Sequence, residues 1–455
     1  MKRTVVINVA GLSSSLLGPH TPRINGLARS VSSIRPVCPA VTCTMQATFL
    51  TGRLPAQHGI VGNGWYFREL AEVFFWRQSN RLMEGDKVWQ VGRAMNRDFT
   101  CANSFWWYNM ATDVNWSVTP RPIYRADGRK LPDCYTQPPH LRQIFTRRFG
   151  TFPLFRFWGP ATSIASSRWI ADAAMAVEEL FAPVLHLVYL PHLDYVLQKE
   201  GPEGAIHGDL RELDQVCGSL LDFFRDRGCR VILLSEYGIS KADRPLHPNR
   251  ILREAGLLAT KSDLGREYLD VGASRAFAVA DHQVAHVYVR EKREVEGVAA
   301  LFRQVPGIEH VLDARSKKEW GLGHRRSGEL VLVAGREYWF SYYYWTDDGK
   351  APDYARTVNI HAKPGYDPCE LFFDPKLRFP ALRVGFSLLK QCLGLRALME
   401  LIPLDAGLVK GSHGRLPEDP GELPLLISSE PHLLGSDQIA AQDVFHVILD
   451  HVFRE

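Results

Sequence analysis

A chain of 455 residues that is 45% hydrophobic and 23% charged has the composition of a folded globular protein, long enough to bury a large core. Its formal charge of +4 is small for that length and comes with no nucleic-acid-binding module, which excludes a nucleic acid polymer as the expected partner. No uninterrupted apolar run of about 18 residues occurs, so no transmembrane span is expected.

The opening MKRTVVINVAGLSSSLLG has a basic start, but its apolar run is interrupted at Asn8 and reaches a turn at Gly11. It reads as a first core strand rather than a leader peptide. Further β-branched runs follow at Val184–Leu190, Val231–Leu234, Ala285–Val289 and Leu330–Ala334, with helical spacing over Ser167–Phe181 and Asp209–Arg227. Alternating strands and helices predict an α/β fold, with a parallel or mixed sheet covered on both faces. Ligands of such sheets bind beyond the carboxyl ends of the strands, so the residues just after each strand are where chemistry is expected.

Two stretches break the alternation. Trp65–Trp158 is dense in aromatic residues and rich in Pro and Gly, and reads as a long insertion. Phe372–Leu404 is apolar with interspersed Lys and Arg. It suits an amphipathic surface helix for a membrane or partner, or a helix pair packed on the core, and the second is the simpler expectation. The eight cysteines form no CxxC pair, which favours reduced, buried thiols and a cytoplasmic protein.

The most informative segment is Pro39-Ala-Val-Thr42-Cys-Thr-Met-Gln-Ala-Thr-Phe-Leu-Thr51-Gly52. Pro39 stops the incoming loop, Thr42 is expected as a helix N-cap, and Gly52 closes the helix. A hydroxyl at a helix N-terminus sits where backbone N–H groups and the helix dipole favour an alkoxide or a phosphate. Most capping threonines only cap, but the chain goes on Gly52-Arg-Leu-Pro55-Ala-Gln-His58-Gly59-Ile60-Val61-Gly62-Asn63. This order resembles the type I phosphodiesterase/nucleotide pyrophosphatase branch of the alkaline phosphatase superfamily. In that branch a threonine nucleophile starts a helix and is followed by TG-x-x-P-x-x-HGI-x-x-N. The resemblance implies that Thr42 is the nucleophile and that Asn63 donates to a phosphoryl oxygen.

It also implies two divalent metals, held at strand ends, and here the chain departs from the family. Asn8 stands at the end of the first strand in place of aspartate. Asp194 in Tyr189-Leu-Pro-His192-Leu-Asp194 matches the next aspartate, but Gln198 stands where a histidine is expected; His192, two residues from Asp194, is a substitute ligand. In Ser235-Glu236-Tyr237-Gly238 the family's Asp-His becomes Glu-Tyr, so Glu236 is left as a ligand and Tyr237 as a hydrogen-bond donor to substrate. His413 in Gly411-Ser-His413-Gly414 matches fully. The metal set is therefore Asp194, Glu236, His413 and Asn8, with His192, Gln198, Tyr237 and His247 as additional positions. Oxygen donors shift the expected ions to one or two of Mg²⁺, Mn²⁺ or Ca²⁺, with Zn²⁺ the family alternative. His58, His282 and His286 are assigned structural roles. PHLDY, SEYG and VGNGWYFRELAEVFFW also resemble an alkaline-phosphatase-like subgroup encoded in bacterial Ebo-type clusters.

The resemblance implies an alkaline-phosphatase-like three-layer sandwich with a mostly parallel central sheet and inserted cap segments. Residues 1–64, 160–250 and 320–440 are expected as the core, 65–159 as an aromatic insertion over the site, 251–319 as a cap subdomain and 372–404 as an apolar helical insertion. The function implied is metal-dependent hydrolysis of a phosphodiester, or of a nucleotide or diphosphate anhydride, through a covalent Thr42 intermediate. Its substrate would be a small phosphorylated molecule whose leaving group is aromatic or apolar. The substitutions at 8, 198 and 237 leave open a catalytically silent relative that binds a phosphorylated metabolite or a partner protein. Sulfate ester, phosphonate or group-transfer chemistry also stays open.

Overall fold

A computed structural model describes residues 1–28, 31–127, 129–395 and 397–455; Gly128 and Arg396, which fall in the two stretches that break the alternation, lie outside the described residues. In chain order the strands that matter are β1 (Thr4–Val9), β2 (Val31–Arg35), β3 (Cys101–Ser104), β4 (Trp116–Pro120), β5 (Cys134–Gln137), β6 (Leu185–Leu190), β7 (Arg230–Leu234), β8 (Ala276–Asp281), β9 (Val284–Val289), β10 (Ile308–Leu312), β11 (Leu330–Ala334), β12 (Leu425–Ser428) and β13 (Gln438–Ala440). Nine of them form one sheet in the order β13-β2-β12-β7-β1-β6-β3-β4-β5. Its centre is parallel: β1 pairs with both β6 and β7, and β6 continues through β3 to β4. The edges turn antiparallel at β5 and β12.

Burial explains this arrangement. Every residue of β1 and β6 is buried, as expected for strands covered on both faces, and helices Ala165–Phe181 and His207–Asp226 lie close to the predicted spans. The register then aligns the carboxyl ends: Asn8 sits opposite Tyr189 of β6 and Leu234 of β7. The segments that follow, with Asp194 in the first turn of the helix His192–Glu200 and Glu236 in a loop, therefore leave the sheet side by side.

Three expectations change. Residues 65–159 are no separate insertion, because β3, β4 and β5 come from them and extend the main sheet. A second, four-stranded antiparallel sheet runs β8-β9-β11-β10. It takes three strands from residues 251–319, but β11 comes from the span expected in the core, because its apolar face is needed between β9 and β10. The helix Pro380–Cys392 is not packed on the core: Ser387 is its one buried residue.

Candidate active site

Helix Thr42–Thr51 carries the centre of the site. Thr42 is its first helical residue, and Val41, in extended backbone, holds the N-cap position expected for Thr42. The helix is buried along its whole length, so its first turn is fixed by packing rather than by a side-chain cap. At its other end Gly52 has φ +66, and a Cβ there would meet the Phe445 ring at 3.1 Å, so the stop requires glycine.

Around Thr42 the strand-end loops converge. Thr42 Oγ1 lies 2.9 Å from the Tyr237 hydroxyl, which donates to Asp194 Oδ1 at 3.2 Å. A phenol has one proton, so with that proton given to Asp194 the Thr42 hydroxyl is the donor to Tyr237. Asp194 also accepts from Gln198 Nε2 at 2.9 Å, and Gln198 Oε1 in turn accepts from the Tyr366 hydroxyl at 2.8 Å. Burial raises the Asp194 carboxyl to about 7 against these hydrogen bonds.

His413 faces Asp194 with Nε2 at 3.5 Å from Oδ1. Its Nδ1 bonds the Ala40 carbonyl at 2.8 Å and so carries the proton, while burial pushes its pKa down to about 3. A neutral ring protonated at Nδ1 presents a lone pair at Nε2, and that buried atom has no hydrogen-bond partner. Two acceptors facing each other at this separation suit a cation between them. Tyr237 stacks on the His413 ring at 3.6 Å between centroids and fixes its plane.

On the other side of Thr42, Glu236 Oε1 accepts from Asn8 Nδ2 at 2.6 Å and from Gln46 Nε2. Glu236 Oε2 and Asn8 Oδ1 are buried without hydrogen-bond partners, and burial lifts the Glu236 carboxyl to about 8. Unpartnered buried oxygens beside a carboxyl of raised pKa are the chemistry of a hard-cation site. The donors present thus fit a divalent ion at Asp194 and His413, and leave an oxygen-only set at Asn8, Glu236 and Thr42.

Asn63 is held close by. Its Oδ1 accepts from the Cys43 backbone N–H at 3.0 Å, and its backbone N–H and Nδ2 donate to the Asp281 carboxylate at 2.7 and 3.1 Å. Asp281 was not picked out from the sequence, nor was His282 given a part in the site. Both lie at the β8–β9 hairpin, where Gln283 N donates to the His413 carbonyl and the His282 ring packs at a tilt against His413 at 3.8 Å and stacks on Tyr366 at 3.7 Å. His282 takes a left-handed φ of +58 there, an uncommon backbone for a histidine. Asp281 is raised to about 7 by burial despite the Asn63 hydrogen bonds.

Two expected positions are elsewhere. His192 Nε2 bonds Asp209 Oδ1 at 2.9 Å, because the helix it begins turns its ring toward the next helix and away from Asp194. With Asp209 and Glu212 it forms the one three-ligand group of His, Cys, Asp or Glu found close enough for a metal among the described residues. His247 bonds Ser341 Oγ at 2.6 Å and lines a cavity of about 480 Å³ with Tyr343, Asp374 and Lys376, none of which touches Thr42. His58 is structural, as expected, between Thr48 Oγ1 and the Ile60 backbone N–H. Aromatic residues from 65–159 do reach the neighbourhood: Trp76 packs against Trp107 and against Tyr366, and Trp158 against Tyr366.

The sequence profile described as type I phosphodiesterase/nucleotide pyrophosphatase matches residues 4–367. No curated protein matches the chain. Among solved structures it is similar to human ectonucleotide pyrophosphatase/phosphodiesterase 5 (13% identity, 99% of this chain and 94% of that one, TM-score 0.60). The murine protein of the same name, in an inactive form in complex with AMP, is also similar (12% identity, 99% and 95%, 0.59). So is phosphonoacetate hydrolase from Sinorhizobium meliloti 1021 in complex with phosphonoformate (13% identity, 99% and 96%, 0.59). At these identities the structures bear on the fold, which is the alkaline-phosphatase-like α/β sandwich.

Proposed function

Because this chain belongs to the type I phosphodiesterase/nucleotide pyrophosphatase family, we propose that it is a hydrolase that attacks phosphorus with the Thr42 hydroxyl and passes through a covalent Thr42 intermediate. The observation that carries this reading is the Thr42–Tyr237–Asp194 chain of hydrogen bonds at 2.9 and 3.2 Å. As Thr42 Oγ1 bonds to phosphorus, its proton moves to the Tyr237 oxygen while the Tyr237 proton moves to Asp194, whose raised pKa suits it as the acceptor. Thr42 becomes a phosphoester, the leaving group departs, and water then cleaves the ester as the protons return along the same path. Asn63, tied to Asp281 and to the Cys43 N–H, is placed to donate through Nδ2 to a phosphoryl oxygen once substrate displaces one of its present bonds.

A divalent ion held by Asn8 and Glu236 beside Thr42 would neutralise charge on the phosphoryl group and lower the pKa of the attacking hydroxyl, leaving Asp194 free to take the proton. Oxygen donors and a single histidine favour Mg²⁺ or Mn²⁺ over a pair of Zn²⁺ ions. Trp76, Trp107 and Trp158, grouped around Tyr366, supply aromatic faces for the leaving group, so a small phosphodiester or diphosphate with an aromatic or apolar moiety suits the site. All eight cysteines are free, which fits a reducing compartment, the cytoplasm.

A screen of purified protein against bis(p-nitrophenyl) phosphate, nucleotide anhydrides and phosphonates, with each divalent ion, tests the reading. Turnover that needs Mn²⁺ or Mg²⁺ and disappears in Thr42→Ala supports it. No turnover with any ion would leave the silent, metabolite-binding relative in its place.

A further inference from the structure

The helix Pro380–Cys392 is built inside out for a globular protein. Leu382, Phe386, Leu389 and Leu393 are spaced four, three and four residues apart, which aligns them as one stripe at 3.6 residues per turn. That stripe faces solvent: the four are 70%, 59%, 56% and 70% exposed. Val384, Ser387 and Gln391, on the opposite side, are the residues turned toward the protein. A soluble protein that leaves a contiguous apolar stripe uncovered is presenting an interaction surface.

Charge identifies the partner. From Pro375 to Met399 the sequence holds no Asp or Glu. Arg383 is paired with Glu400, whereas Lys376, Arg378 and Lys390 have no carboxylate within salt-bridge distance among the described residues. Two of these cations lie beside exposed rings, Lys390 Nζ at 4.6 Å from the Phe386 centroid and Arg378 at 5.9 Å from that of Phe379. Apolar side chains flanked by unpaired cations, with no acid within the segment itself, are complementary to a bilayer surface bearing anionic headgroups. A second copy of the chain is a poor fit, since apposing two such faces would bring six unpaired cations together. No helix among the described residues is long and apolar enough to cross a membrane, and about 20 Å of helix suits one lying in the interface plane.

We propose that residues 376–395 dock the enzyme on anionic membrane surfaces, with the Leu382–Leu393 stripe inserted at headgroup depth. The docking is independent of the chemistry at Thr42.

Cys392, at the end of this helix, is the one exposed cysteine, the other seven being buried, so it accepts an environment-sensitive fluorophore on the full-length protein. The probes are vesicles of phosphatidylcholine, alone or mixed with phosphatidylglycerol. The expected result is co-sedimentation and a blue shift of the label with the mixed vesicles only, weakened by salt. Charge reversal at Lys376 and Lys390 should lower binding by at least about tenfold. The double substitution Phe386→Glu and Leu389→Glu should abolish it, with thermal stability and hydrolysis of a soluble phosphodiester unchanged. Equal binding to neutral vesicles, no binding, or variants that bind like the parent would overturn the proposal. A dimer in solution that the glutamate variants dissociate would overturn it in favour of self-association.

Discussion

Replacing Tyr237 by phenylalanine isolates the proton path from the rest of the site. The variant keeps the ring that stacks on His413 at 3.6 Å, so the histidine plane and the local packing survive. It loses the hydroxyl that connects Thr42 Oγ1, 2.9 Å away, to Asp194 Oδ1, 3.2 Å away. Asp194 retains its bond from Gln198, so the cost to folding is that of two buried hydrogen bonds, about 2 kcal/mol. The cost to turnover is that of acid–base assistance, about 10²–10⁴ in kcat, or roughly 3–5 kcal/mol of barrier. Tyr237 is also one of the groups that hold the Asp194 pKa down, so its loss raises that carboxyl and shifts the acid limb of the rate profile upward. The assay is metal-supplemented hydrolysis of bis(p-nitrophenyl) phosphate across pH, with kcat and KM separated. If Tyr237→Phe stays within about twofold of the parent in kcat with an unmoved profile, Tyr237 is not on the proton path.

Other perturbations follow from the same geometry. Asp194 and Glu236, raised to about 7 and about 8, hold protons in the folded state that the unfolded chain releases near pH 4. Without metal, stability should therefore fall as pH rises from about 4 to about 8, and by calorimetry Mn²⁺ should raise the melting temperature more at pH 8 than at pH 5. Equal metal-induced shifts at both pH values would contradict this. Asn8→Asp places a second carboxylate against Glu236, 2.6 Å from its present amide; it should lower the melting temperature of the metal-free protein and tighten Mn²⁺ binding by calorimetric titration. Lys363 is fully buried between Asp367 and Glu370, each at 2.7 Å. Lys363→Met strands both carboxylates and should cost about 3–5 kcal/mol in denaturant unfolding.

How much of this was legible in the sequence depended on how local each feature is. Thr42 through Asn63 is contiguous, and the strands that align Asn8, Tyr189 and Leu234 show in the sequence as short β-branched apolar runs, although their register does not. Asp281 and His282 were not legible as site residues, because the hairpin that carries them meets Asn63 across 218 residues of chain. Strands β3 to β5 were hidden by their brevity and by polar residues such as Asn103 and Ser104, which left aromatic density as the dominant signal. The apolar composition of Phe372–Leu404 marked the segment, but composition alone does not say whether its apolar side chains face the core or solvent. His192 shows the same limit: two residues from Asp194 in sequence, it turns to Asp209 once the helix begins.

The central claim is that Thr42 becomes covalently attached to phosphorus. Mass spectrometry of a rapidly acid-quenched reaction with bis(p-nitrophenyl) phosphate and Mn²⁺ should find the phosphoryl adduct on Thr42, absent from Thr42→Ala, which should also have lost turnover. Full turnover by Thr42→Ala, or the adduct on a different residue, would contradict the account.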